Sequence, residues 1–191
     1  MKDICLKGVG KRYGKPVLSG LNLVIPAGRT TAVMAPSGWG KTTLLRLLMG
    51  LETPDEGEIT GLEGLRIAVC FQEDRLMPRL SAVDNIRLVC PELRRADILP
   101  RLERFALADA ADVPAEALSG GMRRRAALLR ALLAPADLVL LDEPFNALDE
   151  DTRARVTAET KALLHSRTAV IVTHDKAEAE AAGAEGWFYG G

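Results

Sequence analysis

Thr30-Thr31-Ala32-Val33-Met34-Ala35-Pro36-Ser37-Gly38-Trp39-Gly40-Lys41-Thr42-Thr43 joins three kinds of segment without a break. A β-branched, apolar run over residues 30–35 passes into a turn rich in glycine, and the turn passes into a helical stretch over residues 41–49 that Gly50 stops. Glycines let such a turn curl until successive backbone N–H groups point inward at an anion. The helix that follows contributes the positive end of its dipole. Lys41 adds a point charge for terminal phosphates, and the Thr42 hydroxyl is a ligand suited to a hard cation. Residues 35–43 therefore predict a phosphate cradle. Ala35 stands where the pattern has its first glycine, and a positive φ there would strain an alanine by about 1–2 kcal/mol. With Gly38 and Gly40 present, the expectation is a formed loop of altered affinity.

Working outward, three more short apolar runs read as strands, over residues 66–70, 137–141 and 168–173. Their hydrophobicity is continuous rather than alternating, which predicts strands covered on both faces, as in a parallel sheet. Residues 4–13 and 18–25 alternate more and predict an antiparallel edge layer. Ser81 with Asp84 predicts a capped helix running to Val89. Residues 94–108 look helical, with Pro100 expected to kink the helix or start a fresh one. Residues 109–117 read as a connection, and further helices are expected over 119–133 and 150–165. The fold class expected is α/β, a single domain over 1–191. Its core falls at about 1–72 and 119–191, with an inserted helical layer at about 73–118.

Composition narrows the function classes. A formal net charge of -1 gives no broad field for nucleic acid or anionic lipid. Cys5, Cys70 and Cys90 form neither a pair nor a metal-binding spacing, which fits a reducing compartment. The first residues lack the apolar run of a leader, and no apolar stretch approaches the about 20 residues a membrane helix needs. Attachment to a membrane is expected only through a partner.

Chemistry gathers at the ends of the strands. The run 137–141 ends in Asp142-Glu143, so Asp142 is expected near a metal, often through water, and Glu143 is expected to polarise an attacking water as general base. Gln72 follows the run 66–70 and is expected to reach the metal and that water. His174 follows the run 168–173 and is expected to hydrogen-bond the terminal phosphate, whereas His165 reads as structural. Leu118-Ser119-Gly120-Gly121-Met122 places a capping serine and two small residues at a helix start, where bare N–H groups can meet a phosphate.

That segment resembles the signature of ABC ATPases, and it lies between the glutamine and the acid pair, as it does in the family. The resemblance covers essentially the whole chain, in order. Tyr13 matches the aromatic residue that stacks on adenine, and 35–43 the phosphate loop. Gln72 matches the glutamine loop, Asp142 with Glu143 the acid pair, and His174 the switch histidine. Asn146-Ala147-Leu148-Asp149 is similar to the loop that couples two sites. The resemblance implies a RecA-like P-loop NTPase fold that hydrolyses ATP with Mg²⁺, the metal held by Thr42, Gln72 and Asp142. It also implies a homodimer, or a pair with a related subunit, in which Ser119, Gly120 and Gly121 close over ATP held by the other copy. Met122, Arg124 and Asn146 replace the usual glutamine, glutamine and serine, and Trp39 is bulky for its position. Effects on turnover and dimer affinity are expected from Ala35, Trp39 and Met122. The run Arg123-Arg124-Arg125 reads as a solvated helix face.

Residues 71–78 and 81–86 look like importer subunits of the nitrate, sulfonate and taurine type. In such systems a membrane permease docks beside the glutamine loop, here residues 73–88, and an extracytoplasmic solute-binding protein completes the complex. The chain is then expected in the cytoplasm, on the inner face of the cell membrane. Nucleic acid is not expected as a partner. The chain's early end after His174 predicts no added regulatory domain, and Trp187-Phe188-Tyr189 reads as an aromatic tail that seals the core or meets a partner. A non-transport ABC ATPase of envelope remodelling and a weakly hydrolysing nucleotide sensor remain the alternatives.

Overall fold

The computed structural model describes residues 2–190; Met1 and Gly191, the ends of the expected domain, lie outside the described residues. The chain runs through β1 (Ile4–Tyr13), β2 (Lys15–Ile25), β3 (Thr30–Met34), α1 (Lys41–Leu48), β4 (Glu56–Thr60) and β5 (Ile67–Cys70). It continues through α2 (Ala82–Arg87), α3 (Arg95–Arg104), short 3-10 turns at Ala108–Ala110 and Ala115–Ala117, and α4 (Gly120–Leu133). The remaining elements are β6 (Leu138–Asp142), α5 (Glu150–Leu164), β7 (Thr168–Thr173), α6 (Lys176–Ala181) and β8 (Gly186–Tyr189). Among the described residues the strands form an antiparallel sheet of order β2-β1-β4 and a parallel sheet of order β5-β6-β7-β3-β8. This is the expected α/β class: a parallel core with an antiparallel edge layer.

The parallel sheet separates two hydrophobic cores, and that explains the unbroken apolar runs. Along β6, Leu138 and Leu140 enter the core shared with α1, β1 and β2, while Val139 and Leu141 enter the core shared with α2, α4 and α5. Val170 and Val172 against Ala169 and Ile171 repeat the alternation on β7. Side chains point to opposite faces with period two, so burying both faces removes the polar alternation that a half-exposed strand shows.

Several sequence expectations need correction. The segment 94–108 is one helix that runs through Pro100 and stops at Arg104; Ala106 turns left-handed at φ 53. Proline here forfeits one backbone donor without ending the helix. The aromatic tail does pack on the core, through Phe188, and it does so as strand β8, paired in parallel with β3 at the sheet edge. Strand β4 and helix α6 have no counterpart in the sequence reading. The arginine run is not a uniformly solvated face, because Arg124 is only 4% exposed. Consecutive helical residues point about 100° apart, so three neighbours cannot share one environment.

Candidate functional site

The phosphate loop departs from the carboxyl end of β3, and the acid pair, Gln72 and His174 depart from the same ends of β6, β5 and β7. Open α/β sheets collect ligands at this edge. Register brings the pieces level, with Met34 opposite Thr173 and Asp142 opposite Val172. A cavity of about 480 Å³ opens there, lined by Ser37, Gly38, Gly40, Lys41, Thr42, Gln72, Asp142, Glu143, Asn146 and His174.

Local conformation makes the loop an anion cradle. Gly38 and Gly40 take φ values of 83° and 110°, a region closed to most side chains. At Gly40 the φ calls for glycine, and a Cβ would also press on the side chains of Leu18 at 2.9 Å and Val17 at 3.0 Å. Helix α1 has neither a side-chain cap nor an acidic residue in its first turn. By contrast Ser81, Ser119, Asp149 and Asp175 cap α2, α4, α5 and α6. The first-turn amides of α1 thus lack a competing side-chain acceptor and lie at the positive end of the dipole. Ala35 is buried with no positive φ, so the strain that a left-handed alanine would carry does not arise.

Lys41 donates from Nζ to Glu143 Oε1 at 2.9 Å. His174 Nδ1 lies 3.0 Å from Glu143 Oε2, and because a carboxylate only accepts, the proton sits on Nδ1. Burial pushes the Glu143 carboxyl up, but hydrogen bonds from Lys41 and His174 outweigh it and hold the group below the usual carboxylate range. Next to it, Asp142 is raised, first by burial and then by the Glu143 charge, with Lys41 and Arg124 opposing. Glu143 is left-handed, at φ 45, which is unusual for a residue with a Cβ and turns its carboxylate toward Lys41 and His174.

The oxygens of Thr42, Gln72 and Asp142 share the cavity, and no group of three or more His, Cys, Asp or Glu able to hold a metal occurs among the described residues. Few hard oxygen donors beside a phosphate cradle suit Mg²⁺, which keeps waters and takes substrate oxygens instead of a full protein cage.

Not every expected site residue joins this cavity. Tyr13 is 49% exposed at the β1–β2 turn and does not line it. Ala35 and Pro36 border a neighbouring depression with His174 and Tyr189. Trp39 turns away toward β8, its ring 5.7 Å from Phe188, and packs where a Cβ on Gly190 would come within 2.3 Å. Thr43 is buried in the α1 core. Ser119, Gly120 and Gly121 open α4 outside the cavity, Ser119 accepting from the Met122 N–H at 3.3 Å. Gly121 faces the carbonyl of Ala147, so the signature and the 146–149 loop are neighbours, and Asp149 caps α5 by accepting from the Thr152 N–H at 3.0 Å. Asn146 also lines the cavity; the sequence placed it in the coupling loop, of which only Asp149 was expected to bind nucleotide.

Comparison with known proteins completes the picture. A family model described as ABC transporter matches residues 18–146, more than half of the chain. An aliphatic sulfonates import ATP-binding protein of Mesorhizobium japonicum is 44% identical over 190 residues, covering 93% of this chain and 72% of that protein. A second, from Pseudomonas aeruginosa, is 41% identical over 187 residues, with 93% and 68% covered. A third, from Paraburkholderia xenovorans, is 45% identical over 189 residues, and the chain spans 55% of its length. Among solved structures, a bacterial Atm1-family ABC exporter with ATP bound superposes with a TM-score of 0.84 at 24% identity, over the whole of this chain and 37% of that one. That likeness establishes the fold.

Proposed function

Because the chain belongs to the ABC transporter family and is an ATPase, we propose that it is the energising subunit of an importer of the aliphatic sulfonate type. One observation carries the reading: Lys41, Glu143 and His174 form a hydrogen-bonded chain at a cavity that Thr42, Gln72 and Asp142 also line. The loop amides and Lys41 bind the triphosphate. Glu143, kept as carboxylate by its neighbours, accepts a proton from the water that attacks the terminal phosphorus as its bond to the β-phosphate oxygen breaks and ADP leaves. His174 orients Glu143 and meets the terminal phosphate, and Gln72 positions the water. Thr42, Asp142 and Gln72 would hold Mg²⁺, which would supply charge neutralisation to the phosphates.

Ser119 and Gly120 are exposed at the start of α4, away from their own chain's cradle. This favours a head-to-tail dimer in which each signature covers nucleotide on the other copy, with closure moving an attached permease. Purified chain is expected to release phosphate from ATP steadily and to stop when Mg²⁺ is chelated. Phosphate release unaffected by chelation would overturn the metal assignment, and none at all would favour the nucleotide-sensor reading.

Permease docking is proposed over residues 73–88. Met77 and Leu88 expose apolar side chains there, at 51% and 57%, and no helix among the described residues is long and apolar enough to cross a membrane. An extracytoplasmic solute-binding protein would deliver the solute, and this chain would lie on the cytoplasmic face. Leu76 packs partly against the core, so Met77→Asp with Leu88→Asp is the cleaner test. The pair is expected to abolish co-purification of the permease while leaving ATP turnover of the isolated subunit within about twofold, as for surface changes. Undiminished co-purification would move the docking site elsewhere.

A further inference from the structure

Arg124 lies in the second turn of α4 behind the catalytic edge, and all five of its N–H groups are used. Nε donates to the Pro144 carbonyl at 3.3 Å. Nη1 donates to the carbonyls of Phe71 and Gln72, and Nη2 to those of Asp142 and Glu143, the last at 2.7 Å. Asp74 adds a carboxylate at 3.8 Å from Nη1. One guanidinium thus holds the backbone of both segments that bear the cavity's glutamine and acid pair.

This convergence is tied to the conformation of Glu143. A left-handed turn at that residue bends the chain so that the carbonyls of 142, 143 and 144 reach one planar donor. A non-glycine residue persists in this region only where its surroundings hold it. The Glu143 N–H donates to the Val172 carbonyl at 2.8 Å, and Arg124 donates to the Asp142 carbonyl on the other side of that peptide. A short amide at 124 has too few donors to span both segments.

We propose that Arg124 is a positioning residue for ATP hydrolysis: it locks the backbone of Gln72, Asp142 and Glu143 to the signature helix, so that the attacking water is aligned only when α4 is in place. This rests on the ATPase reading above. Arg124 does not itself line the cavity and holds its lining residues only by their backbone carbonyls, with no hydrogen bond to the phosphate loop, so its loss is felt in the chemical step and not in nucleotide capture.

Arg124→Met keeps the buried stem and removes every donor; Arg124→Gln returns one amide. For Arg124→Met, kcat is expected to fall about tenfold to a hundredfold with the ATP KM and the Kd of a non-hydrolysable analogue within about twofold, because small misplacements of reacting groups act on turnover. Arg124→Gln is expected to recover part of the loss, remaining at least about threefold below the unmutated chain. A merely structural cap would instead lower the folded fraction and reduce binding and turnover together. Turnover of Arg124→Met within twofold of the unmutated chain, or equal losses of affinity and kcat in both variants, overturns the proposal. If Arg124→Met does not fold, Arg124→Gln decides alone: unchanged kcat overturns the proposal, and reduced kcat at constant KM supports it. An unmutated chain that releases no phosphate would refute the ATPase reading itself, a separate outcome.

Discussion

Glu143→Gln is expected to lower ATP turnover by about a hundredfold to ten-thousandfold, the range a positioned general base contributes, while leaving ATP bound. The amide has the shape of the carboxylate and still accepts from Lys41, so the cradle keeps its geometry. It cannot take a proton from water. Nothing in the substitution weakens capture of the triphosphate, and removal of a negative charge beside the phosphates favours it. The variant should therefore accumulate the nucleotide-bound dimer, visible as an ATP-dependent rise in mass by light scattering. Turnover within a few-fold of the unmutated chain would remove Glu143 from the role of base.

Lys41→Ala is expected to fail at the earlier step. Lys41 is the only lysine or arginine lining the cavity among the described residues, and its Nζ sits where the loop faces the acid pair. Losing charge-assisted hydrogen bonds of about 1.5–3 kcal/mol weakens ATP roughly tenfold to a hundredfold. Hydrolysis is lost with it, because no second lysine or arginine among the described residues lines the cavity to take its place. The two variants thus divide: one binds without turning over, the other scarcely binds. Titration with a fluorescent ATP analogue separates them, and equal affinity in both would contradict the assignment of Lys41 to the phosphates.

Much of this was legible because both faces of the parallel sheet are covered. Leu138 to Leu141 alternate between two cores, so every position is apolar and the run announces itself. The loop was legible for another reason: Gly40 takes a φ that side chains rarely adopt, and Val17 and Leu18 crowd the space a Cβ would need. Strand β4 lacked any such signal. Its five residues are nearly all exposed, and only pairing with β1 makes them a strand. Helix α6 did carry one, since Asp175 accepts from the Glu178 N–H at 3.1 Å in the pattern of a capping residue. The burial of Arg124 could not be read: its departure from a usual glutamine marked the position, but three adjacent arginines differ only in the direction each takes from the helix axis. Trp39 stood out only as bulky for its position; its packing against Phe188 and Gly190 could not be read, because β8 was not visible from composition.

The most direct test is a crystal structure of Glu143→Gln grown with ATP and Mg²⁺. The account predicts terminal phosphates on the amides ahead of Lys41, with Lys41 Nζ turned from residue 143 to phosphate oxygen. It also predicts Ser119 of the partner subunit within hydrogen-bond reach of the same nucleotide. Nucleotide bound elsewhere, or a Lys41 still paired with residue 143 beneath it, would contradict the account.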